Sequence, residues 1–416
     1  MNVDLIVIGN ELLNGKIKDE NTHFLAKFLH KQGHNLRAVH IIQDEYIDLE
    51  MTLNSIKAET DFIITTGGLG PTEDDNTKNF LAQFFRLSQD FNQEALEIVK
   101  AQYLEKGKTY SEDDHNYHII PEGFTVVKNP IGYAPCLYTK INDLQILSAP
   151  GVPSEFKGVL QSLANSSFST GTKKVKHHIF KTYRLPEAKI FKSMEPKLWE
   201  KLSQFGEVSS LPHKLGVDIG IKLTAETDQE ILEKKEALNT IMQDTTLKDF
   251  IWHIGPESLE EVIIEKAKEK GLTIGFSESC TGGLLAHRLT NVSGSSSVFW
   301  GSIVSYANEV KMGCLQVEKD TLKNHGAVSE QTAFEMAIGA RKNLGVDIAI
   351  STTGIAGPLG GSPEKPVGTV GIGSSTKEIT ESEILHFQGD RDQLKYAFSQ
   401  AALYKLLDII IKHPGK

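Results

Sequence analysis

Apolar positions along the chain fall into two recurring patterns, short unbroken runs and stripes at helical spacing, and the two alternate. Residues 3–9 form a near-continuous apolar run, the pattern of a strand buried on both faces. Residues 21–32 instead place Phe24, Leu25, Phe28 and Leu29 along one side of a helix. Strand-like runs return at 36–42, 61–66 and 144–147, with a helical stripe at 46–59. Strands alternating with helices predict a parallel sheet, so residues 1–170 read as one α/β domain. Two turns rich in glycine and proline follow predicted strands: Thr65-Thr66-Gly67-Gly68-Leu69-Gly70-Pro71-Thr72-Glu73-Asp74-Asp75 and Ala149-Pro150-Gly151-Val152-Pro153-Ser154-Glu155. Open α/β sheets bind ligands beyond the carboxyl ends of their strands, where both turns fall.

The pattern breaks at residues 165–174, which are rich in serine, threonine and glycine and read as a linker. Residues 175–250 predict a small α+β domain, with strands at 179–185 and 217–225 and helices at 186–202 and 228–240. It carries no chemical motif, and its His177-His178 pair reads as surface decoration. Alternation resumes over 256–416: helix 259–268, strand 272–276, helix 281–289, strand 298–306, helix 329–344, strands 347–352 and 367–373, and a closing helix at 390–411. The fold class is therefore α/β, two α/β domains with a small α+β domain between them. Thr-Thr-Gly-x-x-Gly-Pro ends a predicted strand twice, at 65–71 and 352–358, without longer self-similarity. A turn of small residues exposes backbone N–H groups to an anionic ligand in both places.

Composition narrows the function classes. A formal net charge of −10 supplies no bulk attraction to nucleic acid, so no nucleic-acid partner is expected. Cys136, Cys280 and Cys314 lack paired metal spacing, so neither a disulfide framework nor a zinc site is predicted, and a reducing cytoplasm fits. No apolar stretch approaches the ~20 residues of a membrane span. Residues 1–9 lack the basic start of a signal peptide, so a soluble cytoplasmic protein is expected.

Two constellations carry candidate chemistry. Ser277-Glu278-Ser279-Cys280-Thr281-Gly282-Gly283 joins a predicted strand to a predicted helix and sets a hydroxyl beside a thiol at the helix N-terminus. Backbone N–H groups and the helix dipole favour anions there, which offers a nucleophile an oxyanion site. Ser279 also suits an N-cap, and the Cys280 thiol is expected to have a lowered pKa. A serine nucleophile needs a base. Tyr306 at a predicted strand end and Lys311 in the next helical turn are the candidates, since burial can make a lysine basic enough to serve. The alternative is a core tyrosine and a solvent-facing lysine. In the first domain, Gly9-Asn10-Glu11-Leu12-Leu13-Asn14-Gly15 and the 65–75 turn close two strands. Their glycines let a phosphate approach the backbone, and Glu11, Asp74 and Asp75 offer oxygen ligands to a hard divalent cation. Alternatively, residues 72–75 simply begin a helix.

These motifs resemble the CinA family. Glu-Ser-Cys-Thr-Gly-Gly (278–283), Ser-Tyr-Ala-Asn-Glu-Val-Lys (305–311), Gly-Ala-Val-Ser (326–329), Thr-Thr-Gly-Ile-Ala-Gly-Pro (352–358), Lys-Pro-Val-Gly-Thr-Val (365–370) and Phe-Gln-Gly-Asp-Arg (387–391) follow the order of its C-terminal domain. The resemblance implies an amidohydrolase that converts nicotinamide mononucleotide to nicotinate mononucleotide and ammonia without a cofactor. It implies Ser279 as nucleophile with Tyr306 and Lys311. It implies substrate contacts at Cys280, Thr281, Gly282, Thr353, Gly354, Ala356 and Gly357, and a phosphate clamp at Arg391. The family loop usually reads Gly-Pro-Gly-Gly-Gly, whereas this chain has Gly357-Pro358-Leu359-Gly360-Gly361.

The N-terminal stretch is similar to the family's molybdopterin-binding-like domain through Gly-Asn-Glu-Leu-Leu, Asn21-Thr22, the 66–75 run, Asn129-Pro130 with Gly132, Ala134 and Pro135, and residues 150–155. That implies cleavage of ADP-ribose to AMP and ribose 5-phosphate with a divalent metal (magnesium, manganese or cobalt) and potassium. Implied substrate contacts are Gly9, Glu11, Asn21, Thr66, Gly67, Gly68, Gly70, Pro71, Thr72, Pro150 and Gly151, with metal at Glu11, Asp74 and Asp75. Cys136 stands where glycine is usual and Asn10 where aspartate is common. A KH-like domain at 175–250 and a homodimer are also implied. No Gly-x-x-Gly loop occurs there, so RNA binding does not follow. Two other readings are a molybdopterin-binding or adenylating protein, which leaves the C-terminal motifs unexplained, and a non-catalytic nucleotide-binding protein linked to competence, which needs no Ser279, Tyr306 and Lys311 together.

Overall fold

The computed structural model describes residues 1–70, 72, 75–112, 116–164, 174–213 and 215–416. Apart from Lys174, the expected linker at 165–174 lies outside the described residues. The chain divides into two compact units, Met1–Lys176 with Lys222–Ala237 and His177–Ile221 with Leu238–Lys416. Among the described residues no helix is long and apolar enough to cross a membrane.

The first unit contains strands β1 (Asn2–Ile8), β2 (Asn35–Ile42), β3 (Phe62–Thr66), β4 (Gln89–Phe91), β5 (Ile119–Pro121), β6 (Thr125–Val127), β7 (Cys136–Ile141) and β8 (Leu144–Ala149). The main sheet has the order β2-β1-β3-β8-β7-β6. Its first four strands are parallel, whereas β7 and β6 are antiparallel additions. The wholly parallel expectation is thus corrected. Asn142, at φ 56°, and Asp143 turn β7 straight back into β8, and a hairpin reverses strand direction. The apolar runs of β1 and β3 are buried on both sides. Leu5, Val7, Phe62 and Ile64 pack with Phe28 and Phe156, while Ile6, Ile8 and Ile63 pack with Leu49, Leu53 and Leu81. Period-two alternation feeds two helical layers from one run, which brings the carboxyl ends of β1, β3 and β8 side by side.

Residues 174–254 supply β9 (Lys174–Thr182), β10 (Gly206–His213), β11 (Gly216–Ala225) and β12 (Ile251–Ile254), in the order β10-β11-β9-β12. His178 is 6% exposed and its Nε2 lies 2.8 Å from Asn239 Oδ1, so it is a buried, bonded side chain and not surface decoration.

The closing sheet comprises β13 (Ile274–Glu278), β14 (Phe299–Val304), β15 (Ile348–Gly354), β16 (Thr369–Ser375) and β17 (Thr380–His386), in the order β14-β13-β15-β16-β17. The first three are parallel and the last two antiparallel. Ile274, Phe276, Ile348 and Ile350 pack with Leu403 and Leu407 of helix Arg391–Lys412. β13 runs to Glu278, and the following helix begins only at Leu284, later than its apolar pattern predicts.

Candidate functional site

Glu278 ends the buried strand β13 and is itself wholly buried. Its Oε2 accepts from the backbone N–H of Gly283 (2.9 Å) and Leu285 (3.0 Å). Its Oε1 accepts from Ala286 N–H (3.1 Å) and the Ser302 hydroxyl (2.9 Å). This carboxylate holds the donors at the start of helix Leu284–Thr290, which corrects two expectations. Ser279 is not the N-cap, a place taken by Gly283 at φ 94°, and that helix terminus does not serve as an open oxyanion site. Glu278→Ala should lower stability by about 3 kcal/mol, because buried donors lose a charged acceptor. A denaturant midpoint equal to the wild type's would refute the anchoring role.

Beyond Glu278, the Ser279 N–H donates to the Thr352 carbonyl (2.9 Å), and the hydroxyls of Thr281 and Thr352 meet at 2.8 Å. The parallel neighbour β14 delivers Ser305, whose N–H donates to the Glu278 carbonyl (2.7 Å). Helix Asn308–Leu315 then brings Lys311 back to the nucleophile turn. Lys311 is 1% exposed. Its Nζ lies 3.1 Å from Ser279 Oγ, 2.8 Å from the Ser305 carbonyl oxygen and 3.2 Å from that of Tyr306. Burial pulls its pKa below the ordinary lysine value. A neutral amine that places two N–H bonds on two carbonyls keeps its lone pair for the Ser279 hydroxyl, which is what a general base requires. The solvent-facing alternative for Lys311 is thereby excluded.

Tyr306 is 64% exposed, so it is no core residue. It reaches Lys311 through its carbonyl, while its hydroxyl accepts from Arg391 Nη2 (3.3 Å). Arg391 Nη1 donates to the Gly357 carbonyl (2.7 Å), so one guanidinium joins the 354–358 turn to Tyr306. Thr353 is buried and its hydroxyl donates to the Ala327 carbonyl (2.6 Å). Ala356 is buried, the Gly357-Pro358 peptide is cis and Leu359 is exposed. A Cβ on Gly354 would crowd Cys280 Sγ, so glycine lets this strand end seat against the nucleophile turn. Gly282, at φ 61°, lies in the same turn. Burial pushes the Cys280 thiol up to about 12. The lowered pKa expected from its position is therefore reversed, and the buried thiol stays protonated.

In the first unit a cleft of about 870 Å³ opens at the carboxyl ends of β1, β3 and β8. Glu11, Asn21, Thr66, Gly67, Gly68, Gly70, Asp75, Pro150 and Gly151 line it. Gly9 directly precedes the short helix Asn10–Leu13 that carries Glu11. At Gly67 (φ 109°) a Cβ would overlap the Ile8 carbonyl oxygen. The Gly67 and Gly68 carbonyls accept from the Thr77 hydroxyl (2.9 Å) and N–H (3.1 Å). Both carbonyls are thereby tied to the following helix, and the Gly67 N–H donates to the Ala149 carbonyl (3.1 Å).

Asn21 is 5% exposed, and its Nδ2 donates to Thr66 Oγ1 (3.0 Å) and the Gly151 carbonyl (2.9 Å). Thr66 Oγ1 donates onward to the Pro150 carbonyl (2.9 Å). The Asn21 Oδ1 is left buried without a partner among the described residues. Thr72 is exposed and donates to Asp75 through both its N–H (3.0 Å) and its hydroxyl. Pro71, Glu73 and Asp74 lie outside the described residues.

Among the described residues no group of three acidic, histidine or cysteine side chains forms a metal cage. Glu11, Asp19, Glu20, Asp44, Asp75 and Glu155 line the cleft against Lys18 and Lys108. That oxygen-rich, acidic donor set fits a magnesium-like ion, which takes one or two carboxylates, keeps waters and completes its shell with substrate phosphates.

Glu278 and Thr352 stand in the quoted motifs but were given no role there, and Lys78 lies outside every motif. Glu278 had a usable signal, an acid at the carboxyl end of a strand that otherwise carries no charge. Lys78 Nζ donates to the Asn116 carbonyl (2.9 Å) and Oδ1 (3.0 Å) beside the Gly68–Gly70 turn, and burial lowers its pKa to about 8.

Residues 256–410 match the CinA C-terminal domain, and residues 4–169 match the probable molybdopterin binding domain. A CinA-like protein of Chloroherpeton thalassium is 36% identical over 420 residues, covering 99% of this chain and 99% of its own. A putative competence-damage inducible protein of Thermoanaerobacter pseudethanolicus is 37% identical over 397 residues, covering 95% of each chain. The crystal structure of competence/damage inducible protein CihA from Agrobacterium tumefaciens is 38% identical, covers 37% of this chain and 96% of its own, and superposes with a TM-score of 0.36. With relatives of this similarity spanning nearly all of its length, the chain belongs to the CinA family, as a member that joins a molybdopterin-binding-like domain to a CinA C-terminal domain.

Proposed function

We propose that the chain is a bifunctional hydrolase of NAD fragments. The observation that carries the amidohydrolase half is the buried Lys311 Nζ at 3.1 Å from Ser279 Oγ. In this reading Ser279 Oγ attacks the carboxamide carbon of nicotinamide mononucleotide, and its proton passes to Lys311. A tetrahedral intermediate forms, its negative charge on the former carboxamide oxygen. The Lys311 ammonium then returns the proton to the leaving nitrogen, ammonia departs, and water hydrolyses the acyl-serine to nicotinate mononucleotide. Arg391 takes the substrate phosphate in exchange for its contact with the Gly357 carbonyl.

The N-terminal cleft, in the same reading, cleaves the pyrophosphate of ADP-ribose to yield AMP and ribose 5-phosphate. The Gly67-Gly68 turn and Asn21 support it. Glu11 and Asp75, with Asp74, would hold a divalent cation, which when bound neutralises pyrophosphate charge and polarises water. Potassium is a second expected ion. Three unpaired cysteines suit a reducing compartment, and we place the enzyme in the cytoplasm as a homodimer.

Incubation with nicotinamide mononucleotide, and separately with ADP-ribose plus magnesium, tests both halves. Ammonia in the first and AMP in the second are expected, and their absence overturns the corresponding half. Chelation, or Asp75→Asn, should cut AMP formation by about a hundredfold while ammonia release stays unchanged. AMP formation indifferent to chelator would remove the metal from the proposal.

A further inference from the structure

We propose that Glu155 is the general base of the N-terminal cleft and that Asn129 is the residue that positions it. This proposal rests on reading the cleft as a pyrophosphatase site. Glu155 stands in the first turn of helix Pro153–Leu163, is half-buried and lines the cleft. Asn129 lies 26 residues earlier, yet its Nδ2 donates to Glu155 Oε2 at 2.7 Å.

Asn129 is wholly buried and every hydrogen-bonding site of its amide is used. Nδ2 donates its second N–H to the Ala134 carbonyl (2.9 Å). Oδ1 accepts from the N–H groups of Ile131 (3.0 Å) and Gly132 (2.8 Å). An amide whose oxygen is held by two backbone donors cannot flip, so it always presents a donor to Glu155. Gln102, also wholly buried, fixes the turn from behind. Its Oε1 accepts from the Asn129 N–H (3.1 Å), and its Nε2 donates to the Gly132 (2.7 Å) and Tyr133 (2.9 Å) carbonyls. A Cβ on Gly132 would overlap the Glu155 carboxylate, so glycine lets the turn close over it. A satisfied supporting network of this kind locks the side chain that it holds.

The other carboxylate oxygen, Oε1, makes no hydrogen bond among the described residues. Other acids of the cleft are engaged elsewhere: Asp19 accepts from the Thr22 N–H (3.1 Å), Asp75 accepts from the Thr72 N–H (3.0 Å), and Glu20 lies 3.4 Å from Lys157. A carboxylate with one oxygen pinned and one free meets the geometric demand on a general base. In the step assigned to it, a water oxygen bonds to one phosphorus of the pyrophosphate while its proton passes to Glu155 Oε1. The bond from that phosphorus to the bridging oxygen breaks, and the bridging oxygen leaves with the other phosphate. Glu155 then gives the proton to solvent.

Glu155→Gln in the full-length protein tests this, because a glutamine oxygen still accepts from Asn129 while the basic carboxylate is gone. With ADP-ribose and magnesium, kcat for AMP formation should fall by about a hundredfold or more. KM and the half-saturating magnesium concentration should stay within about twofold of wild type, and the denaturant midpoint should not move. Glu155→Ala should lose as much and regain about tenfold or more when formate supplies the missing carboxylate. A Glu155→Gln kcat within about threefold of wild type, a large rise in magnesium demand, which marks a metal ligand, or a folded alanine variant indifferent to formate would overturn the base. If Glu155→Ala fails to fold, Glu155→Gln decides alone, since it keeps the Asn129 bond. Wild-type protein that forms no AMP would instead overturn the pyrophosphatase reading, and the base with it.

Discussion

Replacing Ser279 with alanine should abolish ammonia release from nicotinamide mononucleotide, lowering kcat by about a thousandfold or more, while Cys280→Ser stays within about tenfold of wild type. The two side chains are neighbours in sequence, yet the fold separates their chemistry. Ser279 Oγ has a basic nitrogen at 3.1 Å. Cys280 packs into the apolar core of the C-terminal sheet, and its raised pKa keeps the thiolate, the reactive form, unpopulated. Ser279→Ala removes one hydroxyl beside Lys311 and should leave the unfolding midpoint close to wild type. Ammonia release that survives Ser279→Ala but disappears in Cys280→Ser would reverse the assignment.

Lys311→Met should lower kcat by about a thousandfold and erase the acid limb of the pH profile. The sign follows from burial. Desolvation disfavours the ammonium, so the proton leaves Lys311 at a lower pH than from an ordinary lysine at 10.5. The neutral amine is the working form. Wild-type kcat/KM therefore rises with pH while Lys311 loses its proton and levels off above that depressed value, short of the usual lysine range. Methionine conserves volume without a buried charge, so stability should hold or increase. A wild-type rate that falls with rising pH over this range, or a limb that persists in Lys311→Met, would count against the base. Activity that merely tracks unfolding is excluded by recording the denaturant midpoint beside each rate.

The C-terminal site was legible in part. The strand-to-helix turn around Ser279, the strand end at Tyr306 and the helical place of Lys311 all follow from local pattern. Which part of Tyr306 meets Lys311 does not, because both its carbonyl and its phenol follow the same strand end, and only the path of helix Asn308–Leu315 selects the carbonyl. The helix start was misplaced for a related reason. Thr281 to Gly283 suit a first helical turn by composition, but the buried Glu278 carboxylate draws the Gly283, Leu285 and Ala286 N–H groups onto itself and delays the helix. In the first unit, the glycine turn announced itself through residue type, since only glycine tolerates φ 109° against the Ile8 carbonyl. β6 was harder to read because it has only three residues, and β7 because Thr139 and Lys140 interrupt its apolar run.

By itself, then, the sequence determined the α/β alternation, the placement of small-residue turns at strand ends and the family to which those turns belong, because burial period and backbone freedom are local properties. Only the tertiary structure decided that Lys311 is a buried amine at Ser279, 32 residues away, that Glu278 occupies the helix terminus, and that Asn21 joins Thr66 to Gly151 at the N-terminal cleft. Those facts depend on strand order and helix crossover, which set distances between residues that no local periodicity relates.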